Sequence, residues 1–448
     1  MKDVKEFLQE NQQEMLDVLA RLVSYNSVEA QDSEYPFGRA NAECLDYALE
    51  VCRKWGMQTT NHDYFVGFGE IGSGKEVIGM AGHLDIVPAG KGWNTDPFVM
   101  EVNDGKIYGR GTSDDKGPTV AAMFAMKYLM DNDVTLNKRI RIVFGSNEES
   151  GFKCIAKYVE KEGHFDIGFV PDGPFPCCFG EKGIIKFKIV TKNNVFKSLA
   201  GGVAPNVVPN NCELSLAAEL LDKEKLEDYL KNSALAKYEI TEEDGILTLT
   251  TEGRAAHAST PELGVNAVAY TLTALAEAGL NDAALQEFNK KINIEYNGES
   301  CGIKLEDQYG GLTLNVGIVA IVDDNIEITC DIRCPFTHDN KEVTAVLDQA
   351  FENFKLTVMS DSKGLYQPED SEFVQMLIAT YRKVSGNEAP PLTMGGGTYA
   401  RMVNNTLAFG MSDDEDTHIH DANEYVQLAK LLQGTEIYIA ALQEMLKM

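Results

Sequence analysis

The sequence predicts an α/β protein in which a mainly parallel-sheet domain is interrupted by an inserted α+β domain. Strand-like and helix-like runs alternate up to about residue 182, and strand-like runs then dominate from 183 to about 362. The first alternation resumes over 363–448. Alternating strands and helices are typical of a parallel sheet with right-handed crossovers. Because this pattern returns, we expect 1–182 and 363–448 to form one domain and 183–362 to be inserted into it.

The elements of the first domain follow from hydrophobic periodicity. An amphipathic helix opens the chain, and the buried strands are apolar runs that end in polar residues. The predicted strands are 77–80, 106–108, 139–144, 166–170 and 407–411. The predicted helices after the first are 41–55, 119–130, one from Gly151 to about Glu162, 369–384 and 424–447, with a glycine-rich turn into a helix at 395–401.

The middle segment has a different pattern, in which short strands outnumber helices. The predicted strands are 184–190, 246–251, 312–320 and 326–332, and the predicted helices are 261–280 and 340–354. This mixture indicates an α+β domain rather than a continuation of the parallel sheet.

Composition limits the possible functions. The chain has 448 residues and is 44% hydrophobic, enough for about two or three domains. Its formal net charge of −29 argues against binding nucleic acid, which needs basic patches. No apolar run approaches the length of a membrane span, and the N-terminal helix lacks the pattern of a signal peptide. Nine irregularly spaced cysteines are typical of reduced thiols, so we expect a cytoplasmic protein.

Polar residues follow the ends of three predicted strands of the first domain. His83 lies just past the first buried strand, Glu148 and Glu149 follow the strand at 139–144, and Asp172 follows the strand at 166–170. Taken alone, His83 is typical of a core histidine and the glutamate pair of a solvated turn. Ligands of open α/β sheets, however, bind beyond the carboxyl ends of the strands. Imidazole and carboxylate groups are ligands of zinc, manganese and cobalt, so their recurrence there favours a metal site.

A hydrolytic centre with two metal ions about 3.5–4 Å apart needs a bridging carboxylate, about five ligands and a free carboxylate as base. The candidate ligands are His83, Asp114, Glu149, Asp172 and a C-terminal histidine. Neighbouring side chains of an extended chain point apart, so Glu149 can bind metal while Glu148 moves the proton of a water. Asp85 is predicted to accept the second imidazole N–H of His83 and fix its tautomer.

Four motifs in this region resemble those of the M20 family of metallopeptidases. They are GHLD at 82–85, GRGTSDDKG at 109–117, NEESG at 147–151 and PDG at 171–173. Residues 202–209 and 395–401 look like the PepV branch of that family, bacterial dipeptidases of the carnosinase type. The similarity spans nearly the whole chain.

The resemblance implies a catalytic domain with two divalent metal ions and an inserted lid domain. His83 and Asp172 would bind one ion, Glu149 and His420 would bind the other, and Asp114 would bridge them. Asp85 and Glu148 would take the two catalytic positions. His418 is the alternative to His420, and Asp115 would support the site or cap the following helix. Zinc is the expected metal, although manganese and cobalt suit the same ligands.

The resemblance also implies substrate contacts from the lid. His257 lies in a segment similar to one whose histidine reaches the substrate, where it could donate to the oxyanion of a tetrahedral intermediate. Its alternative is a surface histidine at a strand end. Asn206 and Arg333 resemble substrate contacts, and Arg333 could pair with a peptide carboxylate in bidentate fashion, although arginine in a strand is more often a surface residue. The main-chain N–H groups of Gly396 and Thr398 could face the same carboxylate.

The sequence therefore predicts a metal-dependent dipeptidase that hydrolyses short peptides with a free carboxylate, using a metal-activated water and Glu148 as general base. Three alternatives stay open. A deacylase of N-acyl amino acids, including a succinyl-diaminopimelate desuccinylase, would use the same metal site. A non-catalytic metal-binding homologue belongs to another class. An aminopeptidase of longer peptides is disfavoured if the lid closes over the substrate. A monomer is preferred to a homodimer.

Overall fold

The computed structural model describes residues 2–412 and 417–448, which form two compact units. The first takes in the chain up to Phe179 together with Gln367–Leu392 and Gly397–Met448, and the second consists of Gly180–Tyr366 and Thr393–Gly396. From the sequence, Thr393–Gly396 is expected to lie in the first domain. It belongs to the second unit because the main-chain oxygen of Met394 accepts a 2.9 Å hydrogen bond from Lys182 N, and that of Gly395 accepts one from Arg333.

The sheet of the first unit is parallel at its centre and antiparallel towards its edges. In spatial order its strands are Gln58–His62, Val66–Gly72, Arg139–Gly145, Val77–His83, Ile167–Val170, Thr406–Ala408 and Cys178–Glu181. The three pairings at the centre, among the strands from Arg139–Gly145 to Thr406–Ala408, are parallel, as the sequence predicts. The first two strands form a hairpin, which pairs antiparallel with the centre. A short connection permits antiparallel pairing only.

Helices and a small sheet complete the first unit. The helices are Val4–Val23, Arg39–Lys54, Lys116–Asp131, Lys153–Glu162, Glu372–Ser385 and Leu428–Met445, with a 3₁₀ turn at Tyr399–Arg401. The small sheet has the order Tyr425–Gln427, Lys106–Tyr108, Glu101–Asn103. The helix Lys116–Asp131 is buried along most of its length and packs against Leu428–Met445, so the loop before it is held in the interior.

The second unit is α+β, as predicted, and is built on an antiparallel sheet. In spatial order its strands are Lys237–Glu243, Ile246–Glu252, Asn211–Ala217, Phe196–Gly201, Thr313–Val322, Asn325–Cys334, Gly183–Lys192 and Lys355–Ser362. The helices are Lys223–Lys231, Ala267–Glu277, Ala283–Lys291 and Asn340–Leu347, with 3₁₀ turns at Ala218–Leu220 and Pro261–Leu263. The remaining short strands of the chain are Glu306–Asp307, Gly310–Gly311, Leu365–Tyr366 and Leu392–Met394.

One predicted helix of the second unit is divided. The sequence predicts a single helix over 261–280, but a 3₁₀ turn at Pro261–Leu263 is followed by Gly264 and then by the helix Ala267–Glu277. The side chain of Asn266 accepts a 2.9 Å hydrogen bond from Ala269 N and so caps the new helix. An asparagine at this position satisfies an otherwise unpaired N–H and defines a helix start.

The sequence predicts reduced thiols and no membrane-spanning helix. All nine cysteines are buried, and none of them is joined in a disulfide bond. Among the described residues, we find no helix that combines the length and the apolar character needed to cross a bilayer.

Candidate metal centre

The strand ends of the parallel sheet bring the predicted ligands together. His83 is the last residue of Val77–His83, Glu149 follows Arg139–Gly145, and Asp172 follows Ile167–Val170. These strands are neighbours and parallel, so their carboxyl ends lie at one edge of the sheet. Asp114 and His420 reach the same place from loops that flank the small sheet.

Asp114 lies between the two imidazoles. Its Oδ1 is 2.9 Å from Nε2 of His83, and its Oδ2 is 2.9 Å from Nε2 of His420. Glu149 lies on the side of His420, with Oε1 3.1 Å from Nε2, and Asp172 on the side of His83, with Oδ2 4.0 Å from Nε2. A carboxylate flanked by two imidazoles and two further carboxylates has the donor chemistry that suits divalent zinc, manganese or cobalt.

The candidate donors fall into two overlapping groups. Donor atoms of His83, Asp114 and Glu149 lie within 4.8 Å of one another, and so do those of His83, Glu148 and Asp172. The C-terminal imidazole that faces Asp114 and Glu149 is that of His420. The ring of His418 instead lies 6.2 Å from the ring of Tyr425.

The charges of this cluster are those of a cation site. Burial, reinforced by the charge of Asp114, raises the pKa of Asp172 to about 7. Burial raises the pKa of Glu148 well above its usual range, and the charges of Asp172 and Glu149 add to the effect. Burial disfavours protonation of His420, but hydrogen bonds to Asp114 and Glu149 outweigh it and raise its pKa to about 11. Closely packed carboxylates repel one another unless a cation or protons neutralise them, so the residues fit divalent ions.

Asp85 contacts both His83 and the turn that bears Glu148 and Glu149. Nδ1 of His83 lies 3.0 Å from the main-chain oxygen of Asp85 and 3.5 Å from its carboxylate. The main-chain oxygen is therefore the nearer acceptor for the imidazole N–H. The carboxylate instead accepts the main-chain N–H groups of Glu148 and Glu149, each at 3.0 Å. Asp85 thus connects the His83 strand end to the turn that bears both glutamates.

Asp115 supports the strand end beneath the centre. Its Oδ2 accepts hydrogen bonds from His83 N at 3.1 Å and from the Thr119 hydroxyl at 3.0 Å. Although Asp115 precedes the helix Lys116–Asp131, its side chain makes no capping hydrogen bond to that helix. Gly82 is required here, because a Cβ would lie 2.0 Å from Oγ1 of Thr119. The peptide bond between Asp114 and Asp115 is cis.

Sequence reasoning missed two residues beside the centre. Glu424 is fully buried and accepts a 2.7 Å hydrogen bond from Nη1 of Arg110. The hydroxyl of Tyr399 lies 2.9 Å from Sγ of Cys154, and its ring meets that of His83 edge-on at 6.4 Å. The available signal was the position of Glu424 four residues after His420 and of Tyr399 directly after a glycine-rich motif.

Comparison with known proteins identifies the family. The sequence pattern of Peptidase family M20/M25/M40 matches residues 79–444. The chain belongs to this family. A relative from Staphylococcus saprophyticus, named "putative dipeptidase", is 34% identical over 96% of this chain and 97% of its own. The predicted M20 metallopeptidase, a hydrolase, is thereby confirmed.

Two solved structures share the fold of this M20 peptidase. Human carnosine dipeptidase 1 is 17% identical with a TM-score of 0.62, and covers 99% of this chain and 98% of its own. The dipeptidase Dug1p from Saccharomyces cerevisiae is 15% identical with a TM-score of 0.63, again covering 99% and 98%. The predicted fold class is confirmed by these likenesses.

A cleft opens beside the candidate centre of this M20 peptidase, within the first unit. Its volume is about 720 Å³, and Asp85, Glu149 and Ser150 form part of its wall. Glu29 and Asp32 line it from the loop before the helix Arg39–Lys54. The cleft is large enough for a group of the size of an amino-acid residue.

In the second unit, the surroundings of His257 define the tautomer of its neutral form. The main-chain N–H of Ser259 donates to Nδ1 at 3.2 Å, and the Ser259 hydroxyl lies 2.7 Å from the same atom. Because Nδ1 accepts, the proton of the neutral imidazole is on Nε2. Asn206 lies beside the His257 segment, because its main-chain oxygen accepts a 2.9 Å hydrogen bond from Ala258 N. The Asn315 side chain fixes this loop through the main-chain oxygens of residues 205 and 207.

Arg333 is buried in the second unit and already has an acidic partner. Its Nε and Nη2 donate to the two carboxylate oxygens of Asp331, and its Nη1 donates to the main-chain oxygen of Gly395 at 2.9 Å. A bidentate pairing with a substrate carboxylate would therefore have to use the Nη1–Nη2 edge. The alternative for Arg333, a surface residue, is wrong because the side chain is buried.

The two glycine-loop residues fall in different units. Gly396 belongs to the second unit and Thr398 to the first. The Thr398 side chain is buried and accepts a 3.1 Å hydrogen bond from Ala400 N, so it caps the turn Tyr399–Arg401. Gly395 must lack a side chain, because a Cβ would lie 2.3 Å from Cβ of Ser259.

Proposed function

We propose that this M20 peptidase is a dipeptidase that uses two divalent metal ions. The observation that carries the proposal is the position of Asp114, with one carboxylate oxygen 2.9 Å from each of two imidazoles. His83 and Asp172 would hold one ion, Glu149 and His420 the other, and Asp114 would be shared. Zinc is our expected metal, and manganese or cobalt would suit the same donors.

When bound, such ions lower the pKa of a bound water and polarise a carbonyl group. The chain's own contribution begins with Glu148, which takes a proton from the attacking water as the new C–O bond forms. Glu148 then gives this proton to the departing amine as the C–N bond breaks. Asp85 holds the main chain of Glu148 through a 3.0 Å hydrogen bond, and so orients the base.

The second unit would recognise and stabilise the substrate. With its Nδ1 accepting from Ser259, His257 can donate from Nε2 to the oxyanion of the tetrahedral intermediate. Arg333 would bind the free carboxylate of the peptide through its Nη1–Nη2 edge. Asn206 and the main-chain N–H groups of Gly396 and Thr398 are proposed as further substrate contacts.

A small peptide substrate is supported by two observations. The relative from Staphylococcus saprophyticus is named "putative dipeptidase", and Asp85 and Glu149 line a cleft of about 720 Å³. The nine buried cysteines, none of which is joined in a disulfide bond, are consistent with the predicted cytoplasmic location. The preference for a monomer stays a prediction.

The test is hydrolysis of a defined panel by metal-stripped protein, with zinc or manganese added back. The panel contains several L-dipeptides, β-alanyl-histidine, a tripeptide and N-succinyl-diaminopimelate. We expect the dipeptides to be cleaved only after metal addition. Glu148→Gln should lower kcat by about 10²–10⁴-fold with the metal content unchanged, because a general base contributes that much.

The matched control is Glu160→Gln, which removes an exposed glutamate of the helix Lys153–Glu162 and should keep full activity. Cleavage of the succinylated compound alone would replace the dipeptidase by a deacylase with the same metal site. Two bound metals without any cleavage would favour the non-catalytic homologue.

A further inference from the structure

The loops that bear Asp114 and His420 leave the same pair of strands. Lys106–Tyr108 pairs antiparallel with Tyr425–Gln427, so that Tyr108 lies opposite Tyr425. The pairing extends one step beyond the strands, since Gly109 N donates to the main-chain oxygen of Glu424 at 3.1 Å. The chain then runs forward from this point to Asp114 and backward to His420.

The side chain of Glu424 fills the gap where the two loops separate. Its carboxylate accepts three main-chain N–H groups and one guanidinium group, and its residue is 0% exposed. The donors are Gly111 N at 3.0 Å, Ser113 N at 2.9 Å, Asp114 N at 3.1 Å and Arg110 Nη1 at 2.7 Å. Successive N–H groups that point inward form a concave anion site, which here is occupied by a carboxylate of the same chain.

This contact connects the two candidate ligands through their main chains. Asp114 is held directly, because its own N–H is one of the donors. His420 precedes Glu424 by four residues. Both lie in a loop that is closed by a 3.1 Å hydrogen bond from Tyr425 N to the main-chain oxygen of Thr417. The loops that carry the Asp114 carboxylate and the His420 imidazole therefore meet at Glu424.

We propose that Glu424 is a positioning residue that sets the separation of Asp114 and His420, and so determines whether the centre binds its second divalent ion. The inference rests on the proposed function, because it assumes a centre for two ions. His83 and Asp172 lie at strand ends of the central sheet and do not depend on this contact. The ion held between His83 and Asp172 keeps these two ligands and shares only Asp114, so it should lose less affinity without Glu424 than the ion held by Glu149 and His420.

The test is a zinc titration of the metal-free full chain in competition with a chromophoric chelator. Glu424→Gln has nearly the same shape, but its amide places an N–H₂ group against donors that need an acceptor. We expect the first zinc to bind nearly as in the wild type, because His83 and Asp172 are unchanged, and the second about 10–100-fold more weakly, the range typical of residues that orient metal ligands. Glu424→Asp keeps the charge, but its carboxylate cannot reach the same N–H groups, so the same pattern is expected.

The matched control is Glu70→Gln. Glu70 also pairs with a partly buried arginine of the first unit, with its Oε2 2.8 Å from Nε of Arg141, but it lies towards the other end of the central strand. This variant should bind both zinc ions as the wild type does. Circular dichroism and thermal unfolding of the metal-free proteins show whether each variant is folded.

Four results would overturn the inference. Two zinc ions bound by Glu424→Gln as tightly as by the wild type would show that the contact does not set the site. An equal loss in Glu70→Gln, or an unfolded chain in both Glu424 variants, would show that Glu424 serves the fold alone. If the wild type itself binds fewer than two ions, the proposed function fails and the inference fails with it.

Discussion

The carboxylate of Asp85 accepts a 3.0 Å hydrogen bond from the main-chain N–H of Glu149. Its other oxygen accepts the N–H of Glu148, also at 3.0 Å, and its main-chain oxygen lies 3.0 Å from Nδ1 of His83. With 1% of its surface exposed, Asp85 has little contact with water. One buried aspartate thus orients an imidazole through its main chain and two glutamates through its side chain.

Asp85→Asn should weaken the centre without unfolding the protein. An asparagine offers one acceptor oxygen instead of two, so one glutamate N–H faces an amide N–H₂ group and the turn shifts. We expect metal affinity to fall by about 10–100-fold, and kcat to fall more than KM rises. Zinc titration and steady-state kinetics on a dipeptide measure the two effects.

The control for Asp85→Asn is Asp166→Asn, which contacts Val77 at the other end of the strand Val77–His83. Asp166 accepts a 2.7 Å hydrogen bond from Val77 N, so Asp166→Asn makes the same substitution at an aspartate that contacts this strand away from the centre. Equal losses of metal affinity in the two variants would mean that Asp85 acts only through general stability.

The centre of the first unit could be predicted because its strands are continuous buried runs, as in Val77–His83. The strand Val66–Gly72, which lies between Gln58–His62 and Arg139–Gly145, could not, because its glycines suggest turns. In the structure these glycines make room for the helix Arg39–Lys54. A Cβ on Gly69 would lie 2.8 Å from Sγ of Cys52, a contact that no local pattern reveals.

The candidate ligands could be predicted for a related reason. A polar residue at the end of a buried strand is visible in sequence, and the motifs identify Asp114 and His420. The role of Glu424 could not be predicted, because most of its partners are main-chain N–H groups, which every residue except proline possesses. Residue type carries no information about such contacts. The same holds for Asp85 and the turn of Glu148 and Glu149.

Gly82→Ala should destabilise the strand end that bears His83. A Cβ there would lie 2.0 Å from Oγ1 of Thr119 and 2.8 Å from Oδ2 of Asp115, so the helix Lys116–Asp131 would have to move. Overpacking of this kind costs about 1–3 kcal/mol in the free energy of unfolding. Urea unfolding of the metal-free proteins measures it. Gly311→Ala, whose Cβ would lie 3.4 Å from Cγ of Glu306, should change stability little, and a similar loss there would contradict the steric explanation.

Lys430 should make the stability of the protein depend on pH in the alkaline range. Burial lowers its pKa from 10.5 to about 8 in the folded state. Between pH 8 and 10.5 the unfolded chain therefore binds more protons than the folded one, and stability contributed by this group rises with pH. We expect the free energy of unfolding of the wild type, minus that of Lys430→Gln, to increase over this interval and to stay constant below it.

Urea unfolding at several pH values measures this difference. The control is Lys54→Gln, because a hydrogen bond to Glu50 raises the pKa of Lys54 rather than lowering it. The corresponding difference for Lys54 should not increase between pH 8 and 10.5. A difference for Lys430 that falls over this interval would mean that its amine is more easily protonated in the folded state than in the unfolded chain.

Ser259→Ala should test whether His257 acts as a donor from Nε2. The main-chain N–H of residue 259 still donates to Nδ1 in this variant, but the hydroxyl 2.7 Å from the same atom is lost. Because the ring is then less firmly held, we expect a loss in kcat smaller than the roughly 10²–10³-fold loss expected for His257→Ala, with KM nearly unchanged. The ¹⁵N chemical shifts of the ring report the tautomer directly.

The control is Ser198→Ala, which removes another serine of the second unit whose hydroxyl lies 2.6 Å from that of Ser215. It should leave kcat unchanged. A kcat for Ser259→Ala equal to that of the wild type, with the Nε2–H tautomer retained, would show that the main-chain N–H suffices to fix the ring. Loss of that tautomer without any loss of kcat would contradict the donor role of His257, because a ring protonated only on Nδ1 has no hydrogen on Nε2 to donate.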